Sequence, residues 1–362
     1  MSLEISLADL VPWMQGRADA LDRDAAFPVE EVDKLRNYGA LSLPLPVRAT
    51  MRDDRLTDQL ADVLTSAGRG NLSVGRILEA HFNVMHLIAR YASPDQWQDA
   101  TAAVQNGHLF ALWVTDPPTG GLEMWPSEHT IRLNGAKQFC SAAGHATRAL
   151  VTARDTDGTT RMLIVELGAG ETVTSLPSPL QGMRAAVTGA VDFTGCGTPT
   201  QSCLGQPGDY LREPDFSTGA WRGSAVATGG LVALLDFARD QLRTSGRLES
   251  PHAQARLGRA LIARESARMW VRQAARIAED PGLPAEHRVA IVGLARIAVE
   301  TACLDAMQLV QRSLGLSAFR HGNPVERICR DLSTYLRQPA PDEVLTESGY
   351  WFATNPDASV AI

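Results

Sequence analysis

The chain has 362 residues, of which 44% are hydrophobic and 21% charged, and its formal net charge is −7. This composition is ordinary for a soluble globular protein with one large or several smaller lobes, and the acidic balance argues against nucleic acid as a partner. Its sequence has no signal-peptide pattern, no membrane-length apolar run and no CxxC or HxxxH spacing, so we expect a cytoplasmic protein without a membrane span, disulfides or a metal site.

The first part of the chain, residues 1–106, has the pattern of an α-helical domain. Pro28 begins a helix that Gly39 ends, because proline favours the first turn and glycine the position after the last. Further helices are expected over residues 54–67, 73–91 and 94–105. The third of these four is apolar nearly all round, which predicts that it is buried.

The middle part, residues 107–215, changes to short apolar or β-branched runs separated by Gly, Pro, Asp and Ser. Such runs are typical of an antiparallel β-domain. Strands are predicted at 108–114, 130–133, 150–153, 161–166, 172–175 and 187–193. Residues 156–159 read Thr-Asp-Gly-Thr, which predicts a hairpin turn.

The last part, residues 216–362, predicts a C-terminal α-helical bundle domain. Long helical patterns cover residues 220–245, 251–279 and 284–314, while the tail from Pro339 is interpreted as irregular. Helices of this length with apolar residues on more than one face favour a four-helix-type bundle and a homodimer or homotetramer. The fold class is therefore α+β and multi-lobed.

Several short motifs follow one another in the order that a known flavoprotein family has them. They are Phe27-Pro28, Thr115-Asp116-Pro117, the segment 134–141 (NGAKQFCS), Gly182-Met183-Arg184, Gly322-Asn323-Pro324 and Arg330-Asp331. Together they resemble the acyl-CoA dehydrogenase superfamily, which places a flavin-binding β-domain between two helical regions. The resemblance implies an FAD cofactor, with FMN as an alternative, and an oxidoreductase that passes a hydride from an acyl-CoA or related thioester to flavin N5.

The resemblance also implies which residues contact the flavin ring. Thr115 and Ser141 match hydroxyl donors of the family, Phe139 takes the place of an aromatic residue beside the ring, and Val114 lines its edge. A flavin needs such donors together with an apolar wall. Taken one at a time, these residues are equally well interpreted as core side chains and a strand-end hydroxyl.

Three more residues match the part of the family that holds the dinucleotide half of a neighbouring subunit's cofactor. These are Arg243, Gln311 and Gly315. An arginine is suited to bidentate binding of a pyrophosphate. The motif around Arg243 is shortened, however, so Arg243 is also interpreted as an exposed residue at a helix end, and the choice between FAD and FMN stays open.

The catalytic base of the family is absent from its usual place. Counting from Arg330-Asp331, the position of the family's glutamate falls at Gln338 or Pro339, and neither side chain can accept a proton as a base. Weak candidates for a catalytic role are His81, on the buried N-terminal helix, and Glu343, in the C-terminal tail. His81 is as readily a core histidine, and Glu343 an exposed acidic residue.

Three hypotheses about function remain. The chain is an oxidoreductase of acyl thioesters with a relocated base, or a flavin-dependent monooxygenase that uses reduced flavin and O2, or a non-catalytic member that keeps the fold. The first two imply a small-molecule substrate and an electron-transfer or flavin reductase partner.

Overall fold

The computed structural model describes residues 3–45 and 53–355. Its N-terminal region is helical, and three of its helices begin after side-chain caps that accept backbone N–H groups, namely Asp53, Asn71 and Ser93. The helices are α1 (Leu3–Asp24), α2 (Val29–Asn37), α3 (Asp54–Gly70), α4 (Leu72–Tyr91) and α5 (Pro94–Gln105).

The middle region forms two sheets. One has seven strands in the order β10-β6-β5-β2-β3-β9, with β1 parallel to β5; the other has three, β4-β8-β7. The strands are β1 (Phe110–Trp113), β2 (Glu123–Pro126), β3 (Thr130–Asn134), β4 (Ala136–Cys140), β5 (Arg148–Arg154), β6 (Thr160–Glu166), β7 (Thr172–Ser175), β8 (Gly189–Asp192), β9 (Gly197–Pro199) and β10 (Cys203–Leu204). The predicted hairpin turn joins β5 to β6, where Asp155 N–H donates to the Thr159 carbonyl at 2.8 Å.

A break at Gly135 separates two consecutive strands of the middle region. β3 ends at Asn134 and β4 begins at Ala136, and the two strands lie in different sheets. Gly135 has φ of +104°, and a Cβ at this position would overlap the carbonyl oxygen of Gly121. The break therefore needs glycine, because the chain must turn sharply while another backbone segment passes against it.

The C-terminal region returns to helices, and α7, α8 and α9 pack around one core. They are α6 (Asp215–Thr218), α7 (Ala220–Thr244), α8 (Pro251–Ala278), α9 (Ala285–Leu314), α10 (Pro324–Tyr335) and α11 (Pro341–Thr354). Helical ends around a sheet-containing middle confirm the predicted α+β fold class. None of the helices within the described ranges combines the length and apolar character needed to cross a bilayer.

The prediction of an irregular tail is wrong for residues 341–354. Pro341 stands in the first turn of α11, where a missing N–H costs no hydrogen bond, so it starts a helix instead of preventing one. Trp351 of α11 packs on His287 of α9, with ring centroids 5.1 Å apart. Residues 356–362 of the tail lie outside the described residues.

The N- and C-terminal helical regions meet where α3 crosses α7. At this crossing the main chains of the two helices are in contact. Gly68 of α3 lies against the Val226 carbonyl of α7, and Gly229 of α7 lies against Thr65 and the backbone of Arg69. A Cβ on either glycine would overlap main-chain atoms of the other helix. The absence of side chains at these two positions therefore fixes the separation of the two helices.

Candidate functional site

The end of β1 lies directly beside β4. Gln138 of β4 donates its backbone N–H to the Thr115 carbonyl and its side-chain amide to the Asp116 carbonyl, both at 2.9 Å. Trp113, the last residue of β1, donates its indole N–H to the Ser141 carbonyl at 2.9 Å. These bonds bring Val114, Thr115, Phe139 and Ser141 together, and we call these four residues the strand-end cluster.

A buried lysine holds the strand-end cluster in place. The Lys137 ammonium donates to Asp116 Oδ1 at 2.6 Å, to Thr152 Oγ1 at 3.0 Å and to the Val114 carbonyl at 3.3 Å. Burial lowers the pKa of Lys137, and the Asp116 carboxylate opposes that effect. The three acceptors satisfy the three ammonium protons, as a buried charge requires.

Phe139 is placed in an unusual backbone conformation. The pairing of β4 with β8 shifts between Lys137 and Cys140, and Phe139 in this bulge has φ of +55°. Its side chain is 47% exposed although it is a large hydrophobic group. Bulges of this kind redirect a side chain out of the regular alternation of a strand, and here the bulge turns an aromatic ring outward next to Thr115.

Two hydroxyl groups of the strand-end cluster are free for a ligand. Thr115 is exposed and Ser141 is buried. Within residues 3–45 and 53–355, neither side-chain oxygen makes a hydrogen bond to another protein group. The cluster therefore offers an exposed aromatic ring and two available hydroxyl donors at one strand end, which is the set of groups a planar heterocycle such as a flavin requires.

The other three residues predicted to bind the cofactor lie at one end of the helical bundle. Arg243, in the last turn of α7, is 70% exposed and lies 3.7 Å from Asp240. Gln311 is half-buried near the end of α9, and Gly315, with φ of +59°, follows that helix. We call these three residues the bundle-end group. Arg243 is separated from the opposite end of α7 by roughly 35 Å of helix at about 1.5 Å per residue.

The His81 side chain is fully buried, and its ring contacts backbone groups of two other segments. Its Nε2 lies 3.0 Å from the Leu41 carbonyl oxygen, and its Nδ1 accepts the Phe110 backbone N–H at 3.2 Å. Both ring nitrogens are thereby occupied, and burial lowers the pKa of His81 to about 4. This geometry favours the interpretation of His81 as a core histidine.

Glu343 lies in the first turn of α11, with its side chain exposed to solvent. An acidic residue there is favourable for the helix, because the N-terminal turn carries a partial positive charge. The structure does not bring Glu343 to the strand-end cluster or to the cavity described next.

A cavity of about 80 Å³ lies between helices of the two helical regions. We call it the helical cavity; its walls include Glu79 of α4, Gly223 and Ala227 of α7, Arg296 and Glu300 of α9, and Tyr335 of α10. Gln338 also lines it, so the position at which the family's glutamate was sought does face this space. The sequence analysis missed Glu79, Arg296 and Tyr335, since they come from separate helices with no shared local motif.

One backbone segment connects the helical cavity with the strand-end cluster. Met183 N–H donates to Asp331 Oδ1 of α10 at 2.7 Å, and Asp331 lies one helical turn before Tyr335. Three residues after Met183, the Ala186 carbonyl accepts the N–H of Ala142, the neighbour of Ser141, at 2.8 Å. Burial raises the pKa of Asp331 to about 6. Residues 183–186 therefore contact both α10 and the segment that follows β4.

Comparison with known proteins relates the C-terminal helical region to one family. Residues 224–337 match the family described as acyl-CoA dehydrogenase, C-terminal domain. This match covers most of the C-terminal helical region. Over 336 residues it is 26% identical to the short-chain specific acyl-CoA dehydrogenase of Rattus norvegicus mitochondria, covering 87% of this chain and 80% of that protein.

Other proteins of similar sequence or structure are named as monooxygenases. The probable FMNH2-dependent monooxygenase SfnC of Pseudomonas putida is 23% identical over 92% of this chain and 90% of its own length. The FMN-bound crystal structure of TdsC from Paenibacillus sp. A11-2 superposes with a TM-score of 0.87 and 18% identity, covering 98% and 97% of the two chains. The structural match shows that this chain shares the fold of that protein over nearly its whole length.

Proposed function

We propose that this chain is a flavin-dependent oxidoreductase in which the strand-end cluster holds the flavin ring and the helical cavity holds the substrate. The observation that carries the proposal is the exposed Phe139 ring, presented by a bulge at positive φ beside the free hydroxyls of Thr115 and Ser141. A bound flavin supplies two-electron redox chemistry and, once reduced, reactivity toward O2. The protein's own groups bind and orient the reactants.

Within this class, the helical cavity favours a reaction that needs no carboxylate base. Its two carboxylates are already engaged: Glu79 pairs with Arg76 and accepts from Asn83, and Glu300 pairs with Arg337 at 2.6 Å. Paired carboxylates are weak bases, because the guanidinium stabilises the ionised form. The geometry therefore supports a flavin-dependent monooxygenase best, and the similarity to an FMNH2-dependent monooxygenase adds support.

An acyl-thioester dehydrogenase is the second candidate function. It is supported by the 26% identity to a short-chain acyl-CoA dehydrogenase. For this chemistry, Glu79 or Glu300 would have to leave its arginine partner and reach the substrate α-carbon. A monooxygenase would instead need a partner that delivers reduced flavin, such as a flavin reductase.

The visible absorption spectrum of the purified protein tests the proposal and separates the two candidates. Anaerobic bleaching by short acyl-CoAs would identify the dehydrogenase, whereas oxygen consumption that depends on supplied reduced flavin would identify the monooxygenase. Chromatography of the released cofactor would distinguish FAD from FMN. The bundle-end group is proposed to contact the dinucleotide half of FAD from a neighbouring subunit. A protein that binds neither flavin would refute the proposal.

Removal of either free hydroxyl should weaken flavin binding. We expect Thr115→Ala and Ser141→Ala each to raise the Kd for flavin, since each loses a hydrogen bond worth about 1–3 kcal/mol. Fluorescence titration measures this change. Thr172→Ala, on the exposed strand β7, is the matched control and should leave the Kd unchanged. Wild-type affinity in both cluster variants would mean that the ring binds elsewhere.

A second copy of this chain is proposed to cover the outer face of α8. Ile262 and Met269, two turns apart on that helix, are 72% and 67% exposed. Exposed apolar pairs of this kind are typical of subunit interfaces. We expect the double variant Ile262→Asp, Met269→Asp to reduce the mass measured by light scattering to that of a monomer. Leu316→Asp, at another exposed site, should not, and an unchanged mass in the double variant would place the interface elsewhere.

A further inference from the structure

The helical cavity contains a tyrosine hydroxyl whose hydrogen-bonding capacity is unused. Tyr335 is 7% exposed, and among the described residues no partner satisfies its buried Oη. Burial and the neighbouring Glu79 carboxylate keep this hydroxyl protonated by raising its pKa. A Cβ placed on Gly223, across the cavity wall, would lie 3.4 Å from this oxygen. Buried hydroxyls are rarely left unpaired, so this one points to a ligand.

The same cavity contains an arginine with a second unused donor. Arg296 of α9 donates one terminal N–H to the Pro339 carbonyl, but its buried Nε has no acceptor within the described part of the chain. Nor does any carboxylate in the described ranges lie within ion-pair distance of Arg296. Burial lowers the pKa of Arg296, and the more distant Glu300 only partly offsets this effect. An anion beside the guanidinium would relieve that penalty.

The ion pairs around the helical cavity leave the Arg296 guanidinium available to an anion. Arg76 and Arg337 are each matched by a carboxylate, Glu79 and Glu300, whereas Arg296 is not. Of the three charged residues that line the cavity, Glu79, Glu300 and Arg296, only Arg296 lacks an ion-pair partner among the described residues. The remaining walls are apolar or small, as at Gly223, Ala227 and Val299, and suit a short aliphatic chain.

We propose that the helical cavity binds a small organic carboxylate, or the carboxylate-bearing end of a larger substrate, through hydrogen bonds donated by Tyr335 Oη and Arg296 Nε. The volume of about 80 Å³ corresponds to roughly five to eight water-sized spheres and hence to a ligand portion with about that many non-hydrogen atoms. This inference rests on the proposed function, in that the helical cavity is taken as the substrate site, and it adds the chemical class of the substrate.

Calorimetric titration of the full-length, flavin-supplemented protein tests the inference. The probes are butyrate, butyramide and 1-butanol, which share a chain length and differ in the charge and hydrogen-bonding capacity of one end. We expect butyrate to bind at least about tenfold more tightly than either neutral probe. Tyr335→Phe and Arg296→Gln should each weaken butyrate binding by about tenfold or more, as expected for the loss of a hydrogen bond to a charged group.

Matched variants outside the cavity serve as controls. Tyr210→Phe alters another largely buried tyrosine near Arg76 and Glu79, and Arg312→Gln alters an exposed arginine of the same helix as Arg296. Both should keep wild-type butyrate affinity, and Tyr335→Phe should keep the wild-type melting temperature within a few degrees. Equal binding of the three probes, no binding of butyrate, or wild-type butyrate affinity in both cavity variants would overturn the inference.

Flavin binding measured on the same samples separates this inference from the proposed function. A protein that binds flavin but shows no preference for butyrate retains the proposed function and loses the carboxylate site. A protein that prefers butyrate, with the expected losses in the two cavity variants, but binds no flavin has the carboxylate site and lacks the proposed function.

Discussion

Gly229→Ala is expected to destabilise the protein by more than about 3 kcal/mol, although the same exchange inside an exposed helix stabilises by up to about 1 kcal/mol. The new methyl group would overlap the Thr65 carbonyl and the backbone nitrogen of Arg69. Main-chain atoms of a helix cannot move aside as a flexible side chain can, so α3 and α7 must separate and lose packing along their contact.

Urea unfolding followed by circular dichroism measures the effect. Gly258→Ala is the matched control, because it lies in the interior of α8 and a Cβ there would meet no atom within 4 Å. The free energy of unfolding of that variant should rise by about 0.5–1 kcal/mol. If Gly229→Ala lowers the free energy of unfolding by less than about 1 kcal/mol, the main chains of the two helices are not in close contact.

The second large effect is a loss of stability in mild acid that originates at His81. The pKa of His81 is lowered from 6.5 to about 4 by burial. Above pH 6.5 the ring is neutral in both the folded and unfolded states, and its contribution to stability is fully present. Between pH 6.5 and 4 only the unfolded chain takes up the proton, so the free energy of unfolding falls by about 1.4 kcal/mol per pH unit, or about 3 kcal/mol in total.

His81→Gln removes this titration while an amide can still donate to Leu41 and accept from Phe110. We expect the variant to be less stable than the wild type at pH 7.5 and the difference to shrink by about 3 kcal/mol at pH 4. Urea titrations at four pH values measure this. His252→Gln, an exposed position on α8, should follow the wild-type curve, and parallel curves for His81→Gln and the wild type would rule out His81 as the cause.

The long helices could be predicted because their signals are local. For α7, α8 and α9, Ala- and Leu-rich patterns bounded by Gly and Pro place both ends within one residue of the structure. The separation of β3 from β4 could not be predicted, because it depends on the approach of Gly121 to Gly135 from a distant part of the chain. Nor could α11, whose aromatic residues are ordered by packing on α9.

The strand-end cluster could be predicted from local sequence, whereas the helical cavity could not. The four residues of the strand-end cluster lie in two short segments with recognisable neighbours, and the structure brings them together by the pairing of Gln138 with Thr115. The helical cavity takes its polar groups from positions as far apart as Glu79 and Tyr335. No periodicity or motif relates such positions, since only tertiary packing puts them on one wall.

The wall that α7 gives to the helical cavity limits how substrate range can change. This wall is made by Ala220, Gly223, Ser224 and Ala227, which repeat at helical spacing and have small side chains or none. Single substitutions there can remove at most a methyl or hydroxymethyl group, whereas most of them add atoms, as Ala227→Leu would. Natural variants and engineered ones can therefore narrow the set of accepted molecules in one step, whereas admitting bulkier molecules requires the helices themselves to be repositioned.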